Sequence, residues 1–360
     1  MKRLQVFFVL VITIIGMTAP CFAVDPVEEA DYLIITHPQL DNGGWLSDLT
    51  ALQESRGYAV GVWHVDDQVT INTDIQQFIN DAYLTGNPVQ YVLLAGMAAN
   101  QPPETPLPEN QKQEIRDLKN PVANALELNF IPFTYENMEI WGGDVVDVPT
   151  DDHYYPSLHI QGNPIFIGRV PARTAQDMAT WVEKLQETYQ NLQHYASWKD
   201  REILLSHNIT IEANGCIGWK VDYMDEKIST TFPTSLQPMY LRSKDIDSTA
   251  SWGPNASGEY PFVEPFETMM DTGSALMHFV GTGATPSYLG MFYFNDPDVA
   301  GVTGYNFHNQ GQYPYFLGNS CNLGNIQEPT ERPSVTRKIL FAGDGGFIGA
   351  LAPTIVTSQW

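Results

Sequence analysis

Short apolar runs of strand length, separated by segments of helical period, most limit what this chain can fold into. Tyr32-Leu33-Ile34-Ile35-Thr36, Ala59 to Val65 and Tyr91-Val92-Leu93-Leu94-Ala95-Gly96 read as strands. Between the first two, Trp45, Leu46, Leu49 and Leu52 recur at helical spacing until Gly57. Between the second and third, Ile75, Phe78, Ile79 and Ala82 mark another helix that stops near Gly86. Buried strands alternating with helices require crossover connections, which are right-handed, and a parallel sheet covered on both faces. The expected class is therefore α/β.

Residues 97 to 150 break the rhythm with many Pro, Asn and Glu residues, and read as surface loops. A boundary near residue 150 divides the chain into a first part, 24–150, and a second, 151–360. Pro164 to Val170 then resumes as a strand. Thr174 followed by Asp177 predicts a capping box at the start of a helix, with Met178, Trp181, Val182, Leu185, Tyr189 and Leu192 as its buried stripe. Glu202 to Ser206, Ala275 to Val280, Tyr315 to Asn319 and Phe347 to Leu351 are further strands. Val335, Ile339 and Leu340 sit on a last helix before Gly345-Gly346.

The first 23 residues have a different purpose. Lys2 and Arg3 precede a nearly all-apolar run from Leu4 to Met17, and small residues surround Ala23. That pattern is a secretory signal peptide, too short for a stable membrane span. Pro20 disfavours a lipoprotein site at Cys21. The mature chain has no apolar run long enough to cross a membrane, and is expected to be exported to a periplasmic, cell-surface or extracellular location. Losing Lys2 and Arg3 takes the formal net charge from −24 to −26. So acidic a surface excludes nucleic acid and anionic lipid as natural partners. Acidic loops leave a structural calcium open, although no EF-hand spacing is present. Only Cys216 and Cys321 follow the leader. Two cysteines make no disulfide scaffold, although one bridge between them stays open. Neither has metal-ligand spacing around it.

In open parallel sheets, chemistry collects beyond the carboxyl ends of the strands. Three such places stand out: Gly281-Thr282-Gly283, Asn319-Ser320-Cys321, and the Asp151-Asp152-His153 loop. A cysteine leaving a buried strand into a glycine-containing loop can present its sulfur to a substrate, and its own amide can face an oxyanion. A buried structural cysteine is the alternative. The amide of Gly283 could donate to the same oxyanion. Asp151 and Asp152 could orient a histidine or face a basic side chain, or simply form an Asx turn. His153 shares their loop, His308 precedes the Cys321 strand, and His278 reads as a hydrogen-bonded core residue.

At these motifs the chain resembles the gingipain family of cysteine peptidases. In that family a strand ends in Gly-His-Gly, and the next long strand ends in a Cys followed three residues later by Gly. Here the counterparts are Gly281-Thr282-Gly283 and Cys321 to Gly324. Asp31 to Thr36, Tyr91 to Gly96, Asp151 to Tyr155, Ile167 to Pro171, and Lys184 with Tyr189 fit the same order, so the resemblance spans residues 31 to 353. It implies a caspase-like three-layer α/β/α fold with a mostly parallel sheet in two coupled subdomains, the second of them catalytic. It also implies protein or peptide substrates, no required cofactor, and Cys321 as nucleophile.

One position departs from the pattern. Thr282 stands where the family has its histidine, and a threonine hydroxyl cannot take the thiol proton near neutral pH. The resemblance therefore implies a weakened peptidase, or else a binding or assembly module that kept the fold and lost its dyad. A carbohydrate-surface protein is a third reading.

Overall fold

The computed structural model describes residues 30–65, 72–84, 89–97, 134–139, 145–150, 164–193, 197–206, 237–242, 263–280, 283–284, 287–288, 292–293, 307–319, 324 and 335–352. Two parallel sheets organise them. In the first half run β1 (Tyr32–Thr36), α1 (Trp45–Ser55), β2 (Val60–His64), α2 (Asn72–Tyr83) and β3 (Tyr91–Ala95). A pair β4 (Thr134–Glu139) and β5 (Val145–Thr150) follows, then β6 (Phe166–Val170) and α3 (Ala175–Gln193). The first sheet has the order β2-β1-β3-β6, all parallel. β6 lies beyond the boundary near residue 150 and pairs with β3.

After a 3-10 turn (Ser197–Asp200) come β7 (Arg201–Ser206), β8 (Gln237–Arg242), α4 (Val263–Thr272) and β9 (Leu276–Val280). The short strands β10 (Gly283–Ala284), β11 (Ser287–Tyr288) and β12 (Phe292–Tyr293) form a small antiparallel sheet. Last are β13 (Tyr315–Asn319), α5 (Val335–Leu340) and β14 (Gly349–Leu351). The second sheet, β14-β13-β9-β7-β8, is also wholly parallel. The α/β architecture expected from the apolar runs is the one observed.

The residues explain the elements. Leu33, Ile34, Ile35, Leu94 and Ala95 are fully buried, as strands covered on both faces require. Gly57 takes φ +92 just after α1, a left-handed stop that costs glycine little. The capping box at α3 forms as expected. The Asp177 amide donates to the Thr174 hydroxyl at 3.0 Å, while the Asp177 carboxylate accepts from the Thr174 and Arg173 amides. Met178, Trp181 and Val182 are buried in the first core.

The antiparallel pair β4–β5 corrects the reading of residues 97 to 150 as loops throughout. Its Pro, Asn and Glu content conceals the strands. β8 and α4 also lie in stretches that the apolar pattern left unassigned. β8 is an edge strand, and an edge tolerates Pro238 because a missing N–H there breaks no central ladder. α4 carries Pro265 in its first turn, where the missing N–H has no intrahelical partner anyway.

Helix α3 joins the halves. It packs against α1, while the Trp181 indole N–H donates 2.9 Å to the Ile348 carbonyl ahead of β14. Arg337 of α5 reaches back to Asp177 at 3.1 Å and to the Pro171 carbonyl. Lys184, 1% exposed, donates from Nζ to the Ile339 and Leu340 carbonyls at the end of α5, 3.3 and 2.9 Å away. Desolvation brings its pKa down to about 7, against a smaller upward pull from Glu187. The bonded carbonyls fit a cation at a helix C-terminus.

Candidate active site

The carboxyl ends of β9 and β13 are neighbours. The register pairs Leu317 with His278, Gly318 with Phe279, and Asn319 with Val280. β7 lies on the other side of β9, with Ser206 opposite Val280. Three strands thus end at one level. The chain leaves β9 two residues before Thr282, and leaves β13 two residues before Cys321.

Cys321, Thr282, Asp151, Asp152 and His153 themselves lie outside the described residues. Gly283 is described: it opens β10 and pairs with Tyr288. Thr150, the last residue of β5, leads directly into the Asp151-Asp152-His153 loop.

Gly324, three residues after Cys321, sits against the backbone beyond β14. A Cβ there would land on the Ala352 carbonyl oxygen, and would lie 3.0 Å from its carbon and 3.2 Å from the Ala352 Cβ. Any side chain larger than hydrogen must push this loop away. The glycine thus marks a close approach between two backbones.

The histidines near β13 divide by position. His308 is exposed, and its amide donates to the Asp271 carboxylate at the end of α4. That is the amino end of the sheet, separated from the carboxyl ends by the five residues of β13, roughly 16 Å at ~3.3 Å per residue. It is on the wrong side to act on a thiol at the carboxyl end. His278 is half-buried in mid-strand. Its neighbours Met277 and Phe279 face the core formed with α4 and α5, so its ring points to the opposite face. The Nδ1 atom has no hydrogen-bond partner, unlike the bonded core histidine expected, and burial lowers its pKa. It is held neutral.

Glu202 shares that face of the sheet and was missed by sequence reasoning. It starts the hydrophobic run of β7, and no local pattern distinguishes a buried glutamate from an exposed one. The residue is 1% exposed, neither carboxylate oxygen has a partner, and desolvation raises its pKa to about 7. A folded-state pKa above the unfolded one means that the native state holds its proton more tightly. The group's contribution is therefore fully present below the ordinary carboxylate range and is lost as pH rises through about 7. Glu202→Gln, which keeps the shape without the charge, should leave stability near pH 4 almost unchanged. Near pH 8 it should raise stability by on the order of 1 kcal/mol. Urea unfolding at the two pH values checks this; equal effects at both would mean that the carboxyl is solvated.

Arg169 donates 2.8 Å to the Gly96 carbonyl, and Arg173 approaches the Met97 sulfur at 2.9 Å. They secure the carboxyl end of β3. Among the described residues no helix is long and apolar enough to cross a membrane.

Comparison with known proteins agrees with this geometry. The chain superposes on the crystal structure of the Arg specific cysteine proteinase gingipain R with a TM-score of 0.59 and 16% identity, over 93% of this chain and 65% of that one. A second solved structure, described as a protease, matches with a TM-score of 0.56 and 12% identity, over 91% of this chain and 60% of that one. The chain thus spans less than two thirds of the length of either. At such identities the likeness establishes the fold. A search of curated proteins finds no match. The model of peptidase family C25 matches residues 25–359. The protein belongs to peptidase family C25.

Proposed function

We propose that the protein is an exported cysteine endopeptidase in which the Cys321 thiol attacks a peptide carbonyl, at a rate limited by Thr282 in the family's histidine position. The observation that carries this reading is the Val280–Asn319 register, which sends two chain segments out of adjacent strand ends toward residues 282 and 321. In the reaction, Sγ bonds to the carbonyl carbon and the amides of Cys321 and Gly283 stabilise the oxyanion. The amine then leaves with a proton, and water hydrolyses the thioester. A histidine would carry that proton in both directions; threonine does not. The base is unassigned, with His153 the remaining candidate beside the carboxylates.

Asp151 and Asp152 supply negative charge for a substrate side chain. The Arg specificity of gingipain R and the formal charge of −24 both favour Arg or Lys at the cleaved bond. The apolar leader supports export.

The second reading is a binding or assembly module that retains the fold without turnover, and Thr282 is the observation that favours it. Thiol alkylation from about pH 5 to about pH 9, read by peptide mapping, and cleavage of a mixed peptide library decide between them. The peptidase reading expects cleavage that Cys321→Ala abolishes. Alkylation of Cys321 only above about pH 8, with no such cleavage, would leave the binding module.

A further inference from the structure

The turn between β1 and α1 holds two consecutive left-handed glycines, Gly43 at φ +87 and Gly44 at φ +81. Asn42 precedes them, so the turn carries an Asn-Gly pair. Buried residues pin the turn at either end. Leu40 and Trp45 are each 1% exposed, and the Trp45 indole N–H donates to the Leu40 carbonyl. Residues 41 to 44 between them are exposed.

An asparagine followed by glycine is chemically labile when the glycine nitrogen is free to reach the asparagine side chain. The local hydrogen bonds leave that nitrogen open. The Asn42 amide donates to the Leu40 carbonyl at 2.8 Å, and the α1 ladder starts with the Asp48 amide on the Gly44 carbonyl at 3.1 Å. Between them, the Gly43 amide donates to no acceptor among the described residues. A Cβ built on Gly43 meets nothing within 4 Å, so no neighbour shields it. The Asn42 carboxamide is held by one exposed bond, from Nδ2 to the Gln39 carbonyl at 3.0 Å, for which water competes. Ring closure also requires the backbone to turn at residue 43, and glycine turns there most freely.

We propose that Asn42 is a site of spontaneous deamidation, with the Gly43 nitrogen as nucleophile and water as co-reactant. The Gly43 nitrogen bonds to Cγ of Asn42 and the Cγ–Nδ2 bond breaks. Nδ2 leaves as ammonia, carrying the proton lost from the Gly43 nitrogen, and a cyclic imide remains. Water then adds its hydroxyl to one ring carbonyl carbon and its hydrogen to the nitrogen, which opens the ring. Opening at Cγ gives aspartate. Opening at the main-chain carbonyl gives isoaspartate, with the backbone routed through Cγ. Either product places a carboxylate two residues ahead of Gly44, the N-cap of α1, which makes no side-chain cap bond. The positive end of a helix favours that charge, so the product falls where the fold tolerates it.

The test incubates the full chain in mildly alkaline buffer, folded and, in parallel, unfolded in urea. The peptide bearing residue 42 is followed by mass spectrometry, and isoaspartate is identified with an isoaspartyl methyltransferase. Asn42 in the folded chain should convert within about tenfold of its rate in the unfolded chain, as an exposed and unshielded turn allows. Gly43→Ala should slow the conversion at least about tenfold, because a Cβ crowds the nitrogen and restricts its φ. Asn42→Gln keeps the amide on a longer side chain that closes a ring far more slowly, and should abolish the signal. If the strain at φ +87 keeps Gly43→Ala from folding, Asn42→Gln decides with the folded-to-unfolded ratio. Protection of Asn42 by more than about tenfold in the folded chain overturns the proposal, as does conversion that survives either variant.

Discussion

Thr282→His is expected to raise Cys321-dependent peptide cleavage by about 10²- to 10⁴-fold, the usual contribution of a positioned general acid–base. A thiol with an ordinary pKa of about 8.5 is mostly protonated at neutral pH, so a neighbouring imidazole contributes twice. It accepts the thiol proton and then returns it to the departing amine. The substitution falls where β9 has just ended, and β9 is locked on both sides by β7 and β13. The measurement is kcat/KM on peptides ending in Arg or Lys, with Thr282→His/Cys321→Ala as the blank. No gain in a folded variant would mean that the site has diverged beyond one residue, and would favour the binding-module reading.

Phe316→Ala should cost about 3–5 kcal/mol of stability, the range for emptying a fully buried aromatic site. Phe316 is 0% exposed, the second residue of β13, and its ring stacks on Phe347 at 4.8 Å with 3° between planes. Both rings belong to the second core, with Phe266 and Met270 of α4, Met277 and Phe279 of β9, and Ile339 of α5. Removing the ring thus loosens β13, its neighbour β9 and the helices over them together. Phe316→Leu should cost less, since it leaves a smaller void. Chemical denaturation measures both; a Phe316→Ala loss below about 1 kcal/mol would mean that the core refills the cavity.

Much of this architecture can be read from local pattern, and the failures have physical causes. β1 and β3 are apolar runs because both their faces are covered, and composition reports such burial directly. The α3 start was legible because a capping box is a local hydrogen-bond exchange within four residues. β8 escaped because only alternate residues, Met239 and Leu241, face the second core, and an edge strand needs no more. Lys184 could be placed on a helix but not in its setting. Its acceptors are 155 and 156 residues away, on a helix end that only the packed fold brings near. Glu202 likewise looks like any strand-start glutamate until its neighbours close over it.

The site divides in the same way. The sequence singled out Cys321, Gly283 and Gly324 by residue type and spacing, and the family resemblance set the histidine position on Thr282. It could not say that β9 and β13 are neighbours, that His308 lies at the opposite end of the sheet, or that Gly324 meets Ala352. Those facts depend on strand order and register, which arise from contacts between residues far apart in the chain. Hydrophobic period determines that a segment is a strand; only the assembled sheet determines which strand lies beside it.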